Sequence, residues 1–205
     1  MEIKICKLQD SNITCEQVAE LIRRAHSANI EKNLLYGTRS TTVTDIEKIL
    51  NQDNREVFIA TLESKLVGTS TVSIVDCNKW FHKGSAAYIE LAGVDANYKG
   101  HHIFQSILDE QFRYIDGKGV DLIFTVSAEQ NAAVKNTFMK KGFKKVAYGA
   151  GKSNNFYSVY YARWEKKCPY SDAYIALRYF IDKVAHVIYF KRAGREEYEN
   201  RWRIR

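Results

Sequence analysis

A short basic turn, Lys99-Gly100-His101-His102, stands between two segments of opposite periodicity. Ahead of it, Tyr88 to Val94 reads as a strand. Behind it, Ile103, Phe104, Ile107, Leu108, Phe112 and Ile115 recur at helical spacing. A strand that hands over to a helix through a short loop leaves the first-turn N–H groups unpaired and facing outward. That arrangement suits a phosphate or pyrophosphate. The imidazoles of His101 and His102 can donate to such a group, or can be plain polar surface. Gly93, inside the strand, marks a bulge or a close backbone approach to a ligand.

The elements that must position this turn follow the chain. Glu2 to Leu8 alternates as a strand. Thr14 with Gln17 makes a capping box for a helix carrying Val18, Leu21, Ile22 and Ala25. Asn29 to Thr42 reads as a polar, irregular stretch, and Thr44 as the cap of a helix over Asp45 to Asn51. Glu56 to Leu62 and Leu66 to Val75 form a hairpin about Glu63-Ser64-Lys65. Asp76 to Gly84 reads as a polar loop holding Trp80 and Phe81. The helix from Ile103 to Asp116 stops at Gly117-Lys118-Gly119. Val120 to Val126 is a strand buried on both faces, Asn131 to Lys141 a short helix ended by Gly142, and Lys144 to Tyr148 and Phe156 to Trp164 two last strands. This order gives a mixed sheet with helices on its faces.

The composition bounds the rest. In 205 residues, 45% hydrophobic and 27% charged, there is material for one sizeable core and its solvated surface. Cys6, Cys15, Cys77 and Cys168 lack CxxC spacing, so zinc clusters and a disulfide framework are not expected and reduced intracellular thiols are. No metal site is expected. The charged start is not a signal peptide, and no run approaches the ~20 apolar residues of a membrane span. A cytoplasmic location is expected.

The segment from Tyr88 to Phe143 resembles the GNAT superfamily of acyl-CoA-dependent N-acetyltransferases, and the resemblance extends over Ile3 to Trp164. The hairpin with Val67-Gly68 is similar to the family's second and third strands. Val94-Asp95-Ala96-Asn97-Tyr98-Lys99-Gly100 is similar to the passage from its fourth strand into the pyrophosphate loop. Asn131, Phe138 and Gly142-Phe143 keep the spacing of its Asn, Tyr and Gly-Phe pattern. The loop departs from the family's Arg/Gln-x-x-Gly-x-Gly/Ala, with Lys99, His102 and Phe104 at the aligned positions. Side chains at His102 and Phe104 are expected to crowd the backbone's approach to pyrophosphate. Phe138 stands where the family often has a tyrosine acid, and phenylalanine has no proton to give.

The resemblance implies an α/β (α+β) fold, a mixed, mostly antiparallel sheet flanked by helices over residues 1–167, and residues 168–205 read as a C-terminal helical extension outside it. It implies transfer of an acetyl or other acyl group from acyl-CoA, acetyl-CoA foremost, to an amine on a small molecule or peptide. Glu90 is then the candidate general base, or a solvent-facing residue on an alternating strand. The backbone of Leu91, Ala92, Gly93 and Val94 would hold the thioester. Lys99, Gly100, His101, His102 and Ile103 would cradle the pyrophosphate. Asn131 would contact the pantetheine arm or cap the helix it precedes, and Phe138 completes the cofactor-side set. The early helices and the Asn29 to Thr42 stretch suit an acceptor wall or plain packing. The alternative is a catalytically weak binding or scaffolding module that keeps the fold.

The family pattern does not cover the tail. Ser171 to Arg192 reads as a long helix with Tyr174, Leu177, Ile181, Val184, Ala185 and Ile188 on one face. Such a helix must bury itself on its own domain, on a second subunit as a homodimer, or at a membrane surface, with packing on protein the favoured reading. Of the net charge of +7, Arg163 to Arg205 carries +5, with eleven Lys/Arg against six Asp/Glu. A basic tail of this kind, with Trp202, suits an acidic partner or a solvated surface. No nucleic-acid-binding signature accompanies it, so nucleic acid is not an expected partner.

Overall fold

Alternating apolar residues at both ends of the first hairpin build the sheet from one edge inward. The computed structural model describes residues 3–31, 37–79, 82–150, 157–166, 168 and 170–201. In chain order these form β1 (Ile3–Lys7), α1 (Cys15–Glu31), α2 (Val43–Leu50), β2 (Arg55–Leu62), β3 (Lys65–Lys79), β4 (His82–Val94), α3 (Ile103–Asp116), β5 (Leu122–Ala128), α4 (Ala132–Lys140), β6 (Lys144–Ala150), β7 (Tyr157–Trp164) and α5 (Asp172–Arg201). The seven strands lie in the order β1-β2-β3-β4-β5-β7-β6, all neighbours antiparallel except β4 and β5.

The alternation along β2 divides the core. Phe58, Ala60 and Leu62 face the side covered by α3, where Ile103, Ile107, Leu108 and Ile115 are buried with Val72, Ala87, Ile89 and Ile123. Val57 and Ile59 face the other side, under Val18, Leu21 and Ile22 of α1 and Ile46 and Ile49 of α2. Burying a side chain of this size contributes about 1.5–3 kcal/mol. A third cluster joins Cys77, Ala86, Leu122, Val146 and Ala162 to Ile175 of α5. That helix lies along the edge strand β6, and Asp182 Oδ2 accepts the Tyr148 N–H at 2.6 Å. An edge donor that would otherwise face solvent is thereby satisfied.

Several expected boundaries move. The second helix is capped by Thr42, not Thr44. Thr42 Oγ1 accepts from the Asp45 N–H at 3.2 Å and Asp45 accepts from the Thr42 N–H at 2.8 Å. Thr44 has Glu47 three positions on, so both threonines carry the pattern, and the reciprocal bonds form at Thr42 with Asp45. The first box is as expected, Thr14 with Gln17. Asp76 to Gly84 is not a loop: β3 and β4 continue pairing out to Lys79 and His82. Asp76 and Asn78 are exposed and Cys77 is buried, so polarity there records exposure on an overhanging hairpin and not irregular backbone. Trp80 and Phe81 lie outside the described residues. So do Glu2, Tyr36, Phe156 and Trp202. Helix α1 runs on to Glu31, into the stretch read as irregular, and α5 runs beyond Arg192 to Arg201.

Candidate active site

Strands β4 and β5 pair in parallel only from Ala86 to Ile89 and from Leu122 to Thr125. Beyond that, β4 stays with β3 and β5 with β7, so the two strands part. Thr125 Oγ1 donates to the Ile89 carbonyl at 2.9 Å and fixes the point of the fork. Glu90 to Val94 form one lip, and Val126 to Ala128 the other. Helices α3 and α4 begin at this same end of the sheet.

The first lip carries a bulge. Thr71 opposes Glu90 while Thr69 opposes Gly93, which leaves one extra residue on β4. Leu91 absorbs it at φ +50, a left-handed conformation that bulky residues avoid. A bulge redirects backbone polar groups away from the ladder. Helix α1 closes over it: the His26 ring donates from Nε2 to the Ala92 carbonyl at 3.1 Å. Burial pushes the His26 imidazole below its usual range, consistent with a neutral donor. Gly93 makes this contact close, since a Cβ there would stand 3.1 Å from that of Ala25.

Glu90 lies on the sheet face opposite α3. Its Oε1 accepts from Arg55 Nη2 at 2.5 Å and from Ser73 Oγ at 2.5 Å. Both bonds fall on one oxygen, so Oε2 has no hydrogen-bond partner among the described residues. Beside it Tyr88 stacks on Phe124 of β5, with centroids 4.8 Å apart. Burial pushes the Tyr88 hydroxyl well above its usual range. The carboxylate is therefore fixed, half-buried and bordered by aromatic rings.

Below the bulge, Asp95 anchors the passage to the turn. It accepts from the Asn97 N–H at 3.0 Å and from Arg24 at 2.9 Å. Burial works to raise its pKa, but these two donors outweigh it and hold the carboxyl below its usual range. Lys99, Gly100, His101 and His102 are all exposed. Gly100 takes φ +88, and a Cβ there would meet nothing within 4 Å. His102 takes φ +59 and gives α3 no side-chain cap; its Nδ1 lies 3.0 Å from Gln105 Oε1. The first-turn N–H groups of α3 thus have no side-chain cap. Ile103 turns inward, seated against Gly68. The Phe104 ring packs edge-on against Phe138 at 5.7 Å.

Asn131 is the N-cap of α4, its side chain accepting from the Val134 N–H at 3.2 Å. Phe138 is 2% exposed, a core residue between Phe104, Phe143 and Tyr161. The fold therefore gathers Glu90 to Val94, Lys99 to Ile103 and Asn131 at one end of the sheet and withdraws Phe138 into its interior. Arg55, Ser73, Tyr88, Phe124 and His26 were not among the expected site residues. They reach the cleft through cross-strand register and helix packing, which no local pattern encodes.

Past the second lip, Glu129 accepts from the Tyr148 hydroxyl at 2.5 Å and pairs with Lys183 of α5. Burial acts to raise the Glu129 pKa, yet Lys183 and Tyr148 outweigh it and hold it low. Among the described residues no group of three or more His, Cys, Asp or Glu side chains is placed to hold a metal ion, and no helix is long and apolar enough to cross a membrane.

No protein-family model and no curated protein sequence matches the chain. Solved structures do. The NatC complex bound to Gag peptide and CoA aligns with a TM-score of 0.64 at 15% identity, over 81% of this chain and 100% of that one. A probable acetyltransferase from Staphylococcus epidermidis aligns at 0.62 and 19% identity, over 80% and 99%. The PaiA N-acetyltransferase of Thermoplasma acidophilum in complex with coenzyme A aligns at 0.59 and 17% identity, over 80% and 99%.

Proposed function

From a chain with the fold of the GNAT acetyltransferases, we propose an acyl-CoA N-acyltransferase that passes an acyl group, acetyl foremost, from the CoA thioester to an amine. The observation that carries this reading is the fork between β4 and β5, with an anchored carboxylate on its lip and an uncapped helix N-terminus below it.

The residues fit the co-substrate. The open Gly100 turn and the N–H groups of Lys99 to Ile103 form a cradle for a pyrophosphate, with Lys99, His101 and His102 adding donors. The backbone of Leu91, Ala92, Gly93 and Val94, re-aimed by the bulge, holds the thioester arm and supports negative charge growing on its carbonyl oxygen. Asn131 shapes the far lip by starting α4. Acyl-CoA, when bound, supplies the activated acyl group.

Glu90 takes the proton from the incoming ammonium or attacking amine at Oε2, while Arg55 and Ser73 hold Oε1 in place. The free amine then attacks the thioester carbon, and the C–S bond breaks as the amide forms. Phe138 is buried and carries no acidic proton, so the departing thiolate takes its proton from solvent. Most of the acceleration comes from proximity and orientation in the fork. The acceptor is an amine on a small molecule or a peptide; the Gag peptide belongs to the NatC structure.

Calorimetry with acetyl-CoA tests this directly. Micromolar binding by the wild type that Gly100→Glu abolishes is the expected result. No binding at high ligand concentration would overturn it.

A further inference from the structure

Helix α5 has two apolar stripes, and its own domain uses one. Ile175 and His186 are buried against the sheet, with Tyr179 and Asp182 between them half-buried. The other face is open. Leu177 is 56% exposed, Phe180 63% and Ile181 48%, and Tyr170, Tyr174, Val184 and Ile188 are exposed beside them. Of the ten exposed residues from Ala173 to Ile188, Arg178 alone is charged. A solvated helix face does not have this composition.

The spacing of the open stripe specifies its partner. Within the helix, Tyr174, Leu177, Ile181, Val184 and Ile188 follow one another at intervals of three, four, three and four, and Tyr170, just ahead of the helix, stacks on Tyr174 at 5.1 Å. That is the a/d seam of a two-helix coiled coil, which seats another helix of the same repeat. The stripe is also symmetric about position 179. Within the helix, Tyr174 mirrors Val184 and Leu177 mirrors Ile181. A twofold axis at that level makes the face complementary to itself in antiparallel orientation.

We propose that a second copy of this chain docks on α5, the two helices pairing antiparallel about a twofold axis at the level of Tyr179. At roughly 90 Å² of exposed surface apiece, the seven large side chains offer about 1,200 Å² for the pair, the lower end of stable, specific interfaces. A lipid surface fits less well. An interfacial helix needs its polar face in water, whereas here that face lies on β6 and pairs with Glu129 and the Tyr148 N–H.

Sedimentation of the full chain from low to high micromolar concentration should show a monomer–dimer equilibrium. Leu177→Glu with Ile181→Glu should weaken it roughly 100-fold without changing the far-UV circular dichroism, since both sites are about half exposed. Register has its own test. Leu177→Cys with Ile181→Cys should give an intermolecular disulfide under mild oxidation, and Leu177→Cys alone should not, with the wild type and its four native cysteines as background. A monomer at every concentration overturns the proposal. So does a dimer indifferent to the double glutamate variant, or efficient cross-linking through Leu177→Cys alone. Partition of the wild type onto phosphatidylcholine–phosphatidylglycerol vesicles without self-association overturns it in favour of lipid.

Discussion

The guanidinium of Arg55 donates to Glu90 Oε1 across 2.5 Å, although 35 residues separate the two in the chain. Register brings them together: Arg55 opposes Ser73 on β3, Ser73 opposes Tyr88 on β4, and Glu90 lies two residues farther on the same face. Replacing Arg55 with Met should release the carboxylate from its fixed orientation. The expected outcome is a fall of about tenfold in kcat with acetyl-CoA affinity unchanged, because proximity depends on positioning. The stability change should be within about 1 kcal/mol, as both partners are partly exposed. Steady-state kinetics with calorimetry separates the two effects.

Glu90→Gln keeps the shape of the side chain and removes the base. Turnover should drop by about 10²–10⁴-fold at neutral pH while acetyl-CoA still binds. Full turnover would remove Glu90 from the mechanism.

The start of α3 depends on Gly68. A Cβ at that position would stand 2.7 Å from Ile103 Cγ2 and 3.0 Å from Ile107 Cδ1. Gly68→Val should destabilise the fold by about 1–3 kcal/mol through overpacking and weaken acetyl-CoA binding in parallel, because the turn rides on the helix it displaces. Chemical denaturation and calorimetry on the same preparation check both.

Two histidines give the stability profile opposite slopes. His26 is held below its usual pKa by burial, so its contribution is present above about pH 6.5 and is lost as pH falls toward its folded value. Burial alone would do the same to His186, but the Asp182 carboxylate and carbonyl outweigh it and raise the pKa. Its contribution is full below about pH 6.5 and is lost as pH rises through the folded value. Thermal melts between pH 5 and 8 should therefore lose acid sensitivity in His26→Gln and lose part of their acid stabilisation in His186→Gln.

The parts legible in the sequence are those whose signal is local. The stripe from Ile103 to Ile115, closed by Gly117, predicts α3 as observed. The capping box at Thr14 needs only its own four residues. Glu90 was identified through the family resemblance, but its partners were not, because Arg55 and Ser73 sit on other strands and their meeting is a property of register. The polar residues over Asp76 to Gly84 predict a loop where the strands stay paired, because polarity marks exposure and not backbone conformation. On α5 the sequence marks Tyr174, Leu177, Ile181, Val184, Ala185 and Ile188 as the face that must bury itself, and the sheet takes the other side. Ile175 and His186 lie on that side, since Asp182 between them finds the unpaired N–H of Tyr148.

That last contact has a consequence for how the chain comes off the ribosome. Strand β6 can add to the sheet as soon as β7 is made, but its outer edge remains a template for any passing strand until α5 emerges. A nascent chain stalled before Asp182 carries the complete seven-stranded sheet with its β6 border bare. Chains truncated ahead of α5 should accordingly assemble into insoluble material at synthesis, whereas the same sheet with α5 supplied has its border closed.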